Sequence, residues 1–334
     1  MIEHFGYDLK RPPRLLVWFL AWLLLVASAF AQTGAKQRVL WIDPGNISSR
    51  DLRYGVGGKE HVPQPPVKFL DEDKGGTNPK FEVRDQAGTK WKVKLGVESK
   101  PEVAASRLLW AVGYFANENY FVPDLEVDGL KHLKRGRQFQ KGDHVESARL
   151  QRHPRGEKVG KWGWRHNPFK GTREFDGLRV LMALISNWDL KADNNAIYED
   201  QNHTGVEDYE VSDVGTAFGT SGKTYTSDLS KSNIEAYRKH KFVSKVTADH
   251  VDLNFPTHPS FIHFFEFPFF WGQIANHWIG RHIPRDHVEW IASLLAQLTP
   301  EQIRDAFRAA GYPPNQVEEY AQAVEARIAD LKKI

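Results

Sequence analysis

The stretch Ser186-Asn187-Trp188-Asp189-Leu190-Lys191-Ala192-Asp193-Asn194-Asn195 decides how this chain is read. It follows a segment, about Arg173 to Ile185, in which Phe175, Leu178, Met182 and Ile185 recur at helical spacing. The polar stretch is therefore the loop that leaves a buried helix. Ala196-Ile197-Tyr198 then has strand character, and Tyr209-Glu210-Val211-Ser212-Asp213-Val214-Gly215 comes further on. Phosphoryl transfer calls for this assortment. One carboxylate orients the attacking hydroxyl and accepts its proton. One amide and one carboxylate hold Mg²⁺, a hard cation that takes oxygen ligands. A lysine beside the base stabilises charge on the transferring group, and a glycine lets the metal-binding loop turn sharply. Taken singly, Asp189 and Asn194 also fit loop residues that satisfy their own backbone, and Asp213-x-Gly215 fits an Asx turn.

Upstream, Val67 to Asp71, Lys80 to Arg84 and Lys90 to Leu95 read as three strands of an antiparallel meander. The turns between them are Asp73-Lys74-Gly75-Gly76-Thr77-Asn78-Pro79 and Asp85-Gln86-Ala87-Gly88. A helix follows, opened by the capping-box pattern Ser99-x-x-Glu102 with Pro101 in its first turn and stopped at Gly113. Phe121 to Val127 and Ser147 to Gln151 read as two more strands around a basic loop, Lys131 to Lys141. His153 to Thr172 is loop-like. Beyond about Asn254 the chain is mainly helical. Thr299-Pro300-Glu301-Gln302 opens one helix with a capping box, Gly311-Tyr312-Pro313-Pro314 ends it, and a last helix runs from about Asn315 to Lys332.

These parts, in this order, resemble the protein-kinase-like superfamily. Asp189-Leu190-Lys191-Ala192-Asp193-Asn194 is similar to a kinase catalytic loop, and Asp213-Val214-Gly215 to its D-F-G element. Asn187-Trp188 stands where ordinary protein kinases carry His-Arg. Asn-x-Asp is closer in style to HipA-type kinases, and the layout also resembles phosphatidylinositol 3/4-kinases. The resemblance covers about residues 60 to 334 and implies an α+β, two-lobed fold. The N-lobe would be small, antiparallel and β-rich with one helix (67–152), and the C-lobe larger and mainly helical (153–334).

The resemblance also assigns roles. Gly75 and Gly76 would cover nucleotide phosphates from the first turn, although that turn is not G-x-G-x-x-G. Lys94 would grip the phosphates, with Lys92 on the same strand face as the fallback. Glu102 would orient that lysine. Asn194 and Asp213 would hold Mg²⁺ or Mn²⁺ with ATP, and Asp189 would be the base with Lys191 beside it. Each has a plainer reading. Gly75-Gly76 makes a hairpin turn, alternating lysines solvate an edge strand, and Glu102 closes a capping box with Ser99.

Composition narrows the rest. The chain has 334 residues, no cysteine, 11 Trp and 20 Phe, which exclude disulfides and thiolate chemistry and point to a well-packed body. A net charge of +3 leaves no electrostatic footprint for nucleic acid. Residues 1–31 read as a signal peptide. Lys10, Arg11 and Arg14 precede an apolar run, Leu15 to Phe30, that is short for a membrane span and ends at Ala29-Phe30-Ala31. Cleavage there would leave an extracytoplasmic (periplasmic or secreted) protein with no stable membrane span. Residues 32–66 would be an N-terminal arm. The 14 histidines show no zinc spacing, and no serine sits in G-x-S-x-G. Phe261 to Trp271, dense in aromatics, suits the helical core or an apolar substrate or membrane surface. Trp162-Gly163-Trp164-Arg165 lines the acceptor cleft or is a surface loop.

Two functions follow. One is an exported kinase-like phosphotransferase whose partners are a nucleotide and an unknown acceptor (protein, lipid or small molecule). The other is a non-catalytic binding protein on the same scaffold, which an ATP-poor compartment would favour.

Overall fold

The computed structural model describes residues 36–75, 78–152, 156–200, 205–220, 231–255 and 275–334. The signal segment, Gly76, the Phe261–Trp271 cluster, His258 and His263 lie outside the described residues. Arg38–Ile334 form one compact unit; Met1–Gln37 fall in a separate one. Among the described residues, no helix is long and apolar enough to cross a membrane.

The fold is α+β. Strands β1 (Val67–Asp73), β2 (Lys80–Arg84) and β3 (Lys90–Leu95) form the meander, with antiparallel registers such as Val83↔Trp91 and Phe69↔Val83. Helix α1 (Ser99–Ala111) follows, then β4 (Asn119–Asp128) and β5 (His144–Arg152). β5 pairs with both β4 and β3, so the sheet curls back on itself. Among the described residues of this sheet, the departure from antiparallel pairing is a short parallel contact, Val67↔Val127 and Lys68↔Asp128, where β4 returns beside β1. Phe81, Val83, Trp91, Val93, Leu125, Val145 and Leu150 fill the interior of this curl. Alternation here works as it does in a barrel, with one face of each strand turned into the closed core and the other outward.

The larger lobe holds β6 (Glu157–Gly160), α2 (Arg173–Leu184), β7 (Asn195–Glu199), β8 (Val206–Val211), α3 (Ile234–Lys239), β9 (Val243–Val246) and β10 (His250–Leu253). It ends in α4 (Arg285–Leu295), α5 (Pro300–Ala309) and α6 (Pro314–Leu331). The expected capping box opens α5: Thr299 Oγ1 accepts from Gln302 N at 3.1 Å, and Gln302 Oε1 accepts from Thr299 N at 2.9 Å. α2 buries Phe175, Leu178, Leu181 and Met182 in the lobe, together with a paired Asp176 and Arg179.

Helix α1 belongs to the large core, not to the small one: Val103, Ala104, Leu108 and Ala111 pack with the helices of the larger lobe. The arm ahead of β1 helps fix it. Ile47 and Leu52 join the same core, Trp41 Nε1 donates to Val112 O at 2.7 Å, and Gln302 Nε2 donates to Ile47 O and Arg50 O at 2.8 Å each. The chain's end, its arm and α1 are thereby stapled together.

Two expectations need correction. Ser99 is not an N-cap: Glu98 holds that position without a side-chain cap bond, and Ser99 Oγ donates to Lys94 O at 2.9 Å. Glu102 is therefore not half of a capping box. Trp162 and Trp164 neither line a cleft nor form a surface loop. Both are buried in the large core, and Trp162 O accepts from Asn195 Nδ2 at 2.9 Å.

Candidate active site

Lys94 ends β3 on the side that faces α1, and is 1% exposed. Its ammonium meets Glu98 Oε2 at 2.7 Å, Glu102 Oε2 at 2.9 Å and Asp213 Oδ1 at 3.3 Å. Lys92, one pleat back on the same face, is different. Its side chain is 37% exposed and pairs with Asp73 at 3.0 Å. Position relative to α1 separates the two lysines, because only Lys94 lies within reach of a helix carboxylate.

The other wall comes from α2 and the β7–β8 hairpin. Thr172 caps α2 by accepting from Phe175 N, and the chain leaves the helix into Asn187, which is wholly buried. Asn187 Oδ1 accepts from Thr216 Oγ1, and Asp189 N donates to that same hydroxyl oxygen at 3.3 Å. Asn187, where ordinary kinases carry histidine, thus ties the loop to the segment after Gly215. Asn194 Nδ2 donates to Asp189 O at 2.7 Å and to Asp189 Oδ2 at 3.2 Å; Lys191 Nζ lies 3.0 Å from Asp189 Oδ1. The hairpin register Val211↔Asn195 brings Asn194 beside Ser212. Asn194 O then accepts from Ser212 N at 2.8 Å and from Asp213 N at 3.1 Å. Short-range β-pairing is what aligns these two loops.

Lys94, Glu102, Asp189, Lys191, Asn194 and Asp213 therefore line one cleft of about 400 Å³. Gly75 does not line it. Its N–H donates to Asp73 Oδ1 at 2.9 Å, which closes an Asx turn at the tip of β1. Asn78 and Lys80 form the cleft wall on that side. Gly215 serves a different purpose from a sharp turn, since its φ is not left-handed. A Cβ there would come within 2.9 Å of Glu98 Cβ, so the glycine admits the Glu98 side chain.

Residues absent from the motif reading complete the cleft. Arg149 of β5 sits opposite Lys94 in the register and is 3% exposed, with Nη2 3.4 Å from Glu102 Oε1. From it a polar chain runs to the second wall: Arg149 Nη1 donates to Gln151 Oε1 at 2.6 Å, Gln151 Nε2 to Asn117 Oδ1 at 2.6 Å, and Asn117 Nδ2 to Ser212 O. Glu98 accepts from Asn78 Nδ2 at 2.6 Å and from Lys231 Nζ at 2.7 Å. A signal existed for Arg149, a cation set between apolar Ala148 and Leu150. Glu98 carried none, standing one residue ahead of an apparent cap.

Burial alone would lower the Lys94 ammonium, but Glu102, Asp213 and Glu98 overcome it and hold the group above its ordinary range. Burial likewise pushes the Glu98 and Asp213 carboxyls up. Lys94 and Lys231 together outweigh it at Glu98, and Lys94, the Gly215 N–H and Arg149 together at Asp213, so both stay below the usual carboxylate range. Burial raises the Glu102 carboxyl against the pull of Arg149 and Lys94. Glu98, Glu102 and Asp213 face Lys94, Arg149 and Lys231, a charge-balanced set. A buried cluster of this kind can exchange one anion for another without stranding a charge.

A small curled sheet carrying a buried lysine–glutamate pair over a helical lobe is the two-lobed, kinase-like arrangement that the sequence implied. No protein family's sequence model matches the chain, and no curated protein matches it. Among solved structures it is similar to a Helicobacter pylori proinflammatory kinase, CtkA, at 11% identity over 80% of this chain and 98% of that one, with TM-score 0.45. It is also similar to the Golgi casein kinase, at 12% identity over 81% of this chain and 72% of that one, TM-score 0.41. The same kinase with Mn/ADP bound gives TM-score 0.37 at 12% identity. At such distances the functional reading rests on the cleft itself.

Proposed function

We propose that this chain is a kinase-like phosphotransferase that moves the γ-phosphate of ATP to a hydroxyl acceptor. The observation that carries this is the convergence of Lys94, Glu102, Asp189, Asn194 and Asp213, distant in sequence, on one cleft. Lys94, oriented by Glu102, binds the nucleotide phosphates. Asp189 accepts a hydrogen bond from the acceptor hydroxyl and takes its proton, with Lys191 balancing charge beside it.

The donor set fits a hard divalent cation. Asn194 Nδ2 is engaged by Asp189, so the atom that this amide offers a metal is Oδ1. The Asp213 carboxylate is 36% exposed and opens on the same cleft. Among the described residues no three His, Asp or Glu gather into a self-sufficient metal site. One or two protein oxygens with nucleotide phosphates is how Mg²⁺ is commonly held. Mg²⁺ or Mn²⁺ bound there supplies charge neutralisation for the transferring group.

The N-terminal segment is assigned as a signal peptide, cleaved near Ala31, that places the enzyme outside the cytoplasm. The acceptor is a hydroxyl of a protein, lipid or small molecule. The test is thermal stability and ADP formation by the chain from Gln32 with ATP and Mg²⁺ or Mn²⁺, with Asp213→Ala in parallel. Stabilisation and turnover, both lost in the variant, are expected. No shift and no ADP would overturn the reading in favour of a non-catalytic scaffold.

A further inference from the structure

An ammonium has three protons to donate, and Lys94 faces three carboxylates. No donor is left for a phosphate. One carboxylate must yield before a nucleotide can be gripped, and the three differ in how they are placed to do so. Glu102 is wholly buried and braced by Arg149. Asp213 is the longest contact, opens to the cleft and belongs to the metal pair. Glu98 has the shortest contact, and it has two further donors of its own. Its Oε2 accepts from both Lys94 and Asn78, and its Oε1 accepts from Lys231. It is 5% exposed, seated against Gly215 where no side chain would fit.

These partners come from three places around the proposed phosphate site. Asn78 is on the turn between β1 and β2, Lys94 is the proposed phosphate lysine, and Lys231 precedes α3. All but Lys231 line the cleft, together with Glu98 itself.

We propose that Glu98 is a specificity-determining residue of this cleft. Its carboxylate stands on Lys94 in the place of a phosphate oxygen, so that a bare polyphosphate is refused and a metal-complexed nucleotide is admitted. The inference rests on the reading that nucleotide phosphates bind at Lys94. A metal-free polyphosphate must displace Glu98 while facing the charges of Glu98, Glu102 and Asp213 together. A nucleotide that brings its own cation neutralises Asp213 on entry and meets one fewer uncompensated anion. Once displaced, Glu98 keeps Asn78 and Lys231 as partners, so its movement leaves no buried charge alone. Lys231 therefore favours the yielding position, and Glu98 acts through competition and not by touching the reacting atoms.

The experiment is calorimetric titration of the chain from Gln32 with ATP in EDTA, with tripolyphosphate in EDTA and with Mg·ATP. The proteins are wild type, Glu98→Gln, Lys231→Met and the double variant, each checked for a cooperative thermal transition. Glu98→Gln should bind metal-free ATP and tripolyphosphate at least about tenfold more tightly, the scale of one hydrogen bond to a charged group. Its gain for Mg·ATP should be clearly smaller. Lys231→Met should weaken both anions, and should have no effect once Glu98 is Gln. Equal binding of metal-free ATP by wild type and Glu98→Gln overturns the inference while leaving the kinase reading intact. So does a Lys231→Met loss that persists in the double variant, because that lysine would then be binding phosphate directly. No binding of any ligand by any of the four proteins overturns both. Were Glu98→Gln alone to fail to fold, the Lys231→Met sign in wild type still decides: tighter binding there overturns the inference.

Discussion

Lys94 and Arg327 are both buried cations, at 1% and 5% exposure. Their surroundings are opposite in kind. Lys94 is met by three carboxylates. Arg327, on α6, is met by neutral groups. Nη1 donates to Ala183 O, to Leu184 O at 2.7 Å and to Ser186 Oγ at 2.9 Å, and Nη2 donates to Tyr237 O at 2.9 Å. Its guanidinium lies 3.7 Å from the Tyr237 ring centroid and 5.3 Å from that of Phe242. Among the described residues it has no carboxylate partner. Burial lowers Arg327, offset by Tyr237, whereas the carboxylates around Lys94 reverse the same burial effect. Fixed carbonyl dipoles cannot leave, so Arg327 locks the end of α2 and the left-handed Ser186 (φ 55°) in one geometry. Side-chain anions can leave, so Lys94 is set to trade one for a ligand.

That contrast is broken or sharpened by substitution. The largest effect is expected at Asp213→Ala: ADP formation should fall about 10³-fold or more, since metal and phosphate positioning is lost. Its midpoint of thermal unfolding should move less than that of a core variant, because the Asp213 side chain is already 36% exposed. A variant that unfolds instead would make the cleft a structural cluster and end the comparison. Arg327→Met should do the reverse. Tyr237 O would lose its donor in the core, while Ala183 O keeps Ser186 N and Leu184 O keeps the Tyr237 hydroxyl, for a cost of roughly 2 kcal/mol in urea unfolding. The remaining folded fraction should still bind Mg·ATP.

A pH effect belongs to the Arg327 side. His240 is lowered to about 4, by burial first and by the Arg327 charge second. Unfolded histidine titrates near 6.5, so between about pH 6.5 and 4 the unfolded state binds more protons than the native one. Stability should therefore fall as pH drops through that window, by something on the order of 2 kcal/mol at its lower end. Denaturant midpoints against pH measure it, and His240→Gln should flatten the slope. An unchanged slope in that variant would remove His240 from the account. The smallest effect is at Thr299→Ala, which removes the α5 cap and should cost about 1 kcal/mol. ADP formation should be unaffected, which makes it the baseline for purely structural loss.

Much of this was legible locally. Lys80–Arg84 and Lys90–Leu95 have the boundaries that alternation gives them, and α2 begins at Arg173 as its periodicity implies. Capping residues were mixed. Thr299 caps α5 as expected, whereas Ser99, with the same pattern three residues from a glutamate, does not cap α1. The difference is tertiary: Glu102 is drawn inward by Lys94 and Arg149, which outcompete a single backbone N–H. Trp162 and Trp164 misled because a Gly-rich stretch normally lies at the surface, yet their rings complete a core with Phe175 and Tyr209.

By itself the sequence determined the order of parts: a glycine turn, a strand lysine, a helix glutamate, a loop with Asp189 and Asn194, and then Asp213-x-Gly215. It did so because strand alternation and helical spacing are properties of neighbouring residues. Only the tertiary structure decided that Lys94 and not Lys92 is the buried lysine, that Glu98, Arg149 and Asn78 line the cleft, and that Lys231 pairs with Glu98 beside it. It also decided that Gly75 faces Asp73. Those choices depend on which charges the chain brings within about 3 Å of one another after it has folded back on itself. No local pattern records the contact between Lys94 and Asp213, 119 residues apart.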